Sequence, residues 1–164
     1  MTKYISILRG INVGGKRKIL MADLKKLFQD LGFTNIITYI QSGNIIFNAN
    51  KMENDNTLSH KIEQLILKTF GFEVPVIVRT VDEIKRSISN NPFLKDNAEI
   101  ERLHLTFLKE TPTFDKLEKI KSYDFTPDKF EIKNKDIYIF CSGKYSKSKL
   151  TNKFFENKLN ITAT

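Results

Sequence analysis

The residues best suited to hold a ligand fall in three short runs. The first, Arg9 to Lys18, mixes the cations Arg9, Lys16 and Arg17 with Asn12 and the paired Gly14 and Gly15. Such a run can meet an anion in two ways, through lysine and arginine charge and through backbone N–H groups that glycine lets come close. The second run is Gln41-Ser42-Gly43-Asn44, which offers two carboxamides and a hydroxyl to fix a polar group. The third, Ser142 to Lys149, sets Lys144, Lys147 and Lys149 among serines ahead of a helix, again a composition that suits an anion.

Each run also has a plainer explanation. Gly10-Ile-Asn-Val-Gly-Gly15-Lys16 fits the phosphate-loop pattern G-x-x-x-x-G-K, but Arg17 stands where Ser or Thr would hold magnesium, and the next helix begins about four residues too late to help cradle a phosphate. A turn with solvated lysines accounts for the same residues. Ser42-Gly43-Asn44 is explained by the positive φ of a tight two-residue hairpin turn. The lysines from Lys144 to Lys149 read equally as a solvated surface.

Other chemistry finds little support. One cysteine, Cys141, and two separated histidines, His60 and His104, cannot supply the four ligands of a structural zinc site, so no metal or other cofactor is expected. A catalytic histidine needs a partner within hydrogen-bond reach, and the sequence supplies none for either. Cys141 closes a strand on the face of Ile137 and Ile139, which points to burial. Asn160-Ile161-Thr162 matches a glycosylation pattern that matters only for an exported chain. Lys3 and Arg9 interrupt what would be a signal peptide, and no apolar run approaches the roughly 18 residues of a membrane span. A cytoplasmic protein without a membrane partner is the expectation. The formal charge of +8 favours anionic partners, although a lysine-rich bias from an AT-rich genome would give the same sign.

The elements that must position these runs follow from periodicity. Lys3–Arg9 reads as a strand, and Met21, Leu24, Leu27, Phe28 and Leu31 as a helix stopped by Gly32-Phe33. A hairpin pairs 36–41 with 45–48. After a polar loop over 49–56, Leu58, Ile62, Leu65, Ile66 and Phe70 make a second helix, followed by a strand over 74–79. Thr80-Val-Asp-Glu83 is a capping box opening a short helix that Asn90-Asn91-Pro92 ends. From Arg102 the order repeats: strand 102–108, helix 112–122 with Thr111 as cap and Pro112 at its first position, hairpin 129–133 with 137–141, and a helix over 148–159, with 160–164 as a candidate eighth strand. The fold class expected is α+β, two ferredoxin-like (α/β-plait) subdomains with mostly antiparallel sheets and helices on one face. The expected division is residues 1–80, a helical connector over 81–101, and 102–164.

This order has a geometric consequence. With strands in the order 4-1-3-2 and right-handed crossovers, the loop leaving the first strand and the turn of the first hairpin lie at one sheet edge, beside the start of the first helix. The sequence alone thus expects the first two runs to converge.

Leu8-Arg-Gly-Ile-Asn-Val-Gly-Gly15, Lys16-Arg-Lys18, Tyr39-Ile-Gln-Ser-Gly-Asn44 with Ile45-Ile-Phe47, and Gly143-Lys144 with Ser146 to Leu150 together resemble the bacterial family of uncharacterised proteins catalogued as domain of unknown function 1697. The resemblance runs to about Thr162. It implies two α/β-plait subdomains and no established activity. Members of that family usually continue past the 162–164 region into a further helix, so the resemblance implies that this chain either lacks that tail or has been cut short of it.

The function expected is a non-catalytic module binding an anionic ligand, a nucleic-acid backbone or a phosphorylated small molecule, through Arg9, Asn12, Gly14, Gly15, Lys16, Arg17, Gln41, Ser42, Asn44, Lys144, Lys147 and Lys149. Two alternatives stand beside it: an enzyme acting on a small phosphorylated or acylated substrate between the subdomains, and an assembly protein. Oligomeric state is open. The third strand carries Phe47 alone and lacks the aromatic signature of RNA-recognition modules, so sequence-specific RNA readout is not expected.

Overall fold

Alternate residues of β1 (Thr2–Leu8) are buried, Tyr4, Ser6 and Leu8, and the same period runs through β3 (Asn44–Ala49) with Ile45, Phe47 and Ala49. Successive strand side chains point to opposite faces, so these six line one side of a sheet. The computed structural model describes residues 1–50, 53–97 and 99–164. In it β1 lies between β3 and β4 (Val76–Thr80), with β2 (Thr34–Tyr39) outside β3, and every neighbouring pair is antiparallel. The order β2-β3-β1-β4 is the ferredoxin-like arrangement.

Two helices supply the other half of this core. In α1 (Met21–Asp30) Leu24, Leu27 and Phe28 are buried, and in α2 (Asp55–Phe70) Leu58, Ile62 and Ile66. Phe47 is central: its ring centroid lies 4.6 Å from Phe33, 5.2 Å from Phe28 and 5.7 Å from Tyr4. Helix α1 ends in a Schellman motif, Gly32 at φ +79 with its N–H on the Gln29 carbonyl and the Phe33 N–H on Phe28. That stop turns Phe33 back onto the core. Gly71 ends α2 in the left-handed region too.

The chain divides into two compact units, Met1–Lys85 with Thr164, and Arg86–Ala163. The expected connector is shared between these units, since α3 (Val81–Ser89) begins in the first and ends in the second; its residue 98 lies outside the described residues. The capping box is present, with Glu83 accepting from the Thr80 N–H at 2.7 Å and Thr80 Oγ1 accepting from the Glu83 N–H at 3.1 Å. Of the polar loop over 49–56, Lys51 and Met52 also lie outside the description.

The second unit repeats the plan with three strands, β5 (Leu103–Phe107), β6 (Lys129–Lys133) and β7 (Asp136–Phe140), in the order β5-β7-β6. Helices α4 (Phe114–Lys121) and α5 (Asn152–Leu159) contribute Ile120, Phe155 and Leu159 to a core with Ile137, Ile139 and Cys141. Among the described residues no helix is long and apolar enough to cross a membrane.

Several boundaries differ from the expectation. The first hairpin turns through four residues, Ile40 to Gly43, because the last strand pair is Tyr39 with Asn44. Ile40 at φ +44 and Gly43 at φ +83 carry the reversal, so Gln41 belongs to the turn and not to the strand. Helix α4 starts two residues late, with Thr113 and not Thr111 at the N-cap position and no side-chain cap bond, which leaves Pro112 outside it. The last helix begins only at Asn152, where Thr151 Oγ1 accepts from the Phe154 N–H; a single 3-10 turn, Tyr145–Lys147, precedes it. The proposed eighth strand is one bridge, Leu108 with Ala163.

Gly43 packs where a side chain has no room. A Cβ there would lie 2.6 Å from Ile11 Cδ1 and 3.0 Å from Leu8 Cβ, whereas one at Gly14 would meet nothing within 4 Å. Both glycines have positive φ. Gly14→Ala is expected to cost about 1–2 kcal/mol from the backbone alone. Gly43→Ala adds overpacking of roughly 1–3 kcal/mol to a similar backbone term. Urea unfolding checks this, with a larger loss in midpoint for Gly43→Ala at unchanged m.

Candidate anion site at the loop rim

The loop from β1 to α1 folds as a small ribbon. Asn12 N–H donates to the Arg17 carbonyl (3.2 Å) and Lys16 N–H to the Val13 carbonyl (3.1 Å), with Gly14 at φ +59 and Gly15 at φ +73 forming the tip. Two consecutive left-handed residues are what a type I′ turn demands, and glycine supplies them without steric cost. The glycine pair is therefore accounted for by the turn. Because the Lys16 N–H is committed to it, the run does not form a phosphate-loop cradle.

The ribbon's base is fixed by one side chain. Asn12 Nδ2 donates to the Ile19 carbonyl at 2.9 Å and to the Gln41 carbonyl at 3.0 Å, while its Oδ1 accepts from the Ile19 N–H at 2.9 Å. The loop and the hairpin turn are thus joined directly. Asn12 was expected as a ligand-binding residue; its carboxamide instead spends both N–H bonds within the protein.

Lys16, Arg17 and Lys18 are exposed and, among the described residues, form no ion pair. Arg17 lies across Gly10, whose Cβ would be 3.3 Å from Arg17 Nη1. Arg9 is half-buried, with its N–H on the Pro75 carbonyl at 3.1 Å. Gln41 is exposed beside the ribbon. Ser42 is half-buried, and its hydroxyl oxygen is enclosed with no partner among the described residues. Asn44 alternates with the core-facing Ile45, so it shares the sheet face of Ile46 and Asn48, away from the helices. Between ribbon and helix lies a depression of about 370 Å³, lined by Asn12, Gly15, Lys18, Ile19, Leu20, Met21 and Gln41. At its wall α1 starts without a side-chain cap, since Leu20 occupies the N-cap position.

Lys144, Lys147 and Lys149 are exposed on a loop of the second unit. Asp128, to which the sequence drew no attention, organises that loop. Its Oδ1 accepts from the Ser142 N–H and hydroxyl at 2.9 Å each, and its Oδ2 accepts from the Ser148 hydroxyl at 2.6 Å. The Arg102 guanidinium donates to the Ser142 carbonyl. Burial pushes the Asp128 carboxyl up, but the Ser148 and Ser142 hydrogen bonds outweigh it and hold the group below the ordinary aspartate range. Nearby, His104 stacks on Tyr145 with centroids 4.4 Å apart, and its Nε2 is enclosed without a hydrogen bond among the described residues. Burial lowers its pKa. Cys141 is buried, and burial raises its thiol.

The family model described as Protein of unknown function (DUF1697) matches residues 1–138, a span that ends before the second lysine loop. The solved structure of the conserved bacterial protein SP0830 from Streptococcus pneumoniae is similar over 99% of this chain and 92% of its own, at 24% identity with a TM-score of 0.71. That likeness concerns the fold. No curated protein matches the chain.

Because the Asp128 pKa is depressed in the folded state, its contribution to order is present above the ordinary aspartate pKa and is lost as pH falls through the lower, folded value. The Ser142 amide resonance, followed by NMR, is expected to move in a titration with its midpoint below that of an unperturbed aspartate. In Asp128→Asn this step should be absent.

Proposed function

We propose, starting from the fact that the chain belongs to the family described as Protein of unknown function (DUF1697), that it is a non-catalytic module binding an anionic ligand at the rim of the first unit. The observation that carries this reading is the run Lys16-Arg17-Lys18, three adjacent exposed cations that form no ion pair with a described residue. Most surface lysines are mobile and bind nothing in particular. These three differ in being carried by a ribbon whose backbone is tied at its tip, by the Val13–Lys16 turn, and at its base, by the Asn12 clamp. Holding charges in a fixed arrangement before binding lowers the ordering cost of a complex.

A nucleic-acid backbone or a phosphorylated small molecule supplies the complementary charge, and both belong to the cytoplasm, where this reading puts the protein. Lys16, Arg17 and Lys18 hold the anion, Gln41 offers a carboxamide at the rim, and the Gly14–Gly15 tip, open to solvent, allows close approach. Lys144, Lys147 and Lys149 form a separate basic loop that the same chemistry suits.

A screen across single- and double-stranded nucleic acids and phosphorylated metabolites at two salt concentrations tests the proposal. A ligand is expected whose affinity falls with salt, and Lys16→Ala with Arg17→Ala should weaken it at least about tenfold, as lost hydrogen bonds to a charged group imply. For a nucleic acid the log–log salt slope should shrink by about 1 for each cation removed. A ligand indifferent to both changes would reject the assignment.

A further inference from the structure

The rim holds more than charge. Leu20 is 71% exposed at the N-cap of α1, a place where Ser, Thr, Asp or Asn would stabilise the helix by accepting a backbone N–H. Ile40, in the adjoining hairpin turn, is 62% exposed and sits at φ +44, a region that β-branched side chains rarely adopt. Val13, which closes the ribbon's tip turn with Lys16 and follows the Asn12 clamp, is 68% exposed. Single exposed apolar residues are ordinary, but here three surround one connection between loop and turn, each unsuited to its local position or to water. Leu20 also lines the depression, together with Met21 on the apolar side and Lys18, Gly15 and Gln41 on the polar side. Its volume, about 370 Å³, falls in the range of small-molecule sites.

A bare phosphate, or the backbone of a nucleic acid, would engage the cations and leave this apolar wall in water. We infer that the ligand is a small phosphate ester whose aromatic or hydrocarbon group rests against Leu20 and Met21 while its phosphate faces Lys18. This rests on the anion-binding reading above and narrows it to ligands that carry both kinds of surface. The division of labour is then clear: Lys16, Arg17 and Lys18 attract the anion, and Leu20 selects among anions by what is attached to them.

NMR titration of the full chain with inorganic phosphate and with phenyl phosphate separates the two claims, because shifts of the Lys18, Leu20 and Gln41 amides report even weak binding. Phenyl phosphate should bind about tenfold tighter or better, the factor supplied by covering roughly 55 Å² of apolar surface. Leu20→Ser, which adds a favourable cap and so should fold, is expected to bring the ratio of the two affinities near one; Lys18→Ala should weaken both ligands alike. Equal affinities in the unaltered chain, or a preference that survives Leu20→Ser, would overturn the inference while leaving the rim an anion site. Binding of neither probe would also overturn the inference, while the anion-binding reading would still stand or fall on the nucleic-acid arm of its own screen.

Discussion

One carboxamide holds the candidate site together. Asn12 gives both N–H bonds to carbonyls seven and twenty-nine residues away and receives the Ile19 N–H, so three chain segments meet at a single planar group. It adopts φ +55, a conformation that asparagine tolerates better than most residues. Everything at the rim depends on this junction: the direction in which the Gly14–Gly15 ribbon leaves the sheet, the position of Lys18, and the wall that Leu20 presents. Gly43 complements it from the other side, since only a residue without a Cβ lets the hairpin turn lie against Ile11 and Leu8.

The second unit reaches a comparable result by a different interaction. There the acceptor is charged: Asp128 gathers Ser142 and Ser148, and Ser148 in turn receives the Leu150 N–H on its hydroxyl oxygen. Leu150 and Phe155 are fully buried, so the lysine loop is fastened to a core at its far end and to one carboxylate at Ser142 and Ser148. A carboxylate acceptor makes that loop responsive to acid. The Asn12 junction has no titrating group and carries no such dependence.

Much of the architecture was legible in local signals. The Schellman stop at Gly32, the capping box at Thr80 and the alternation in β1 and β3 each act within a few residues, and from them the strand order and the meeting of loop and turn follow by topology. Signals that act over distance were not legible. Nothing near Asp128 announces bonds to residues fourteen and twenty positions later. No propensity places isoleucine at positive φ, so the four-residue turn at Ile40 was read as a shorter one. Topology sets Gln41 and Asn44 alike at the edge that faces the glycine-rich loop, but strand alternation puts the Asn44 side chain on the opposite face from the core. Asn12 looked like a ligand residue for the same reason that it serves as a clamp: a carboxamide suits either partner, and only the fold decides which one it meets.

The most direct test of this account is amide hydrogen exchange at Ile19, whose N–H the Asn12 side chain accepts. In the unaltered chain Ile19 should be protected well beyond Arg17 and Lys18. In Asn12→Ala that protection should be lost while the amides of Ile45 and Phe47 in the sheet stay protected. Unchanged exchange at Ile19 in Asn12→Ala would contradict the claim that this side chain holds the rim in place.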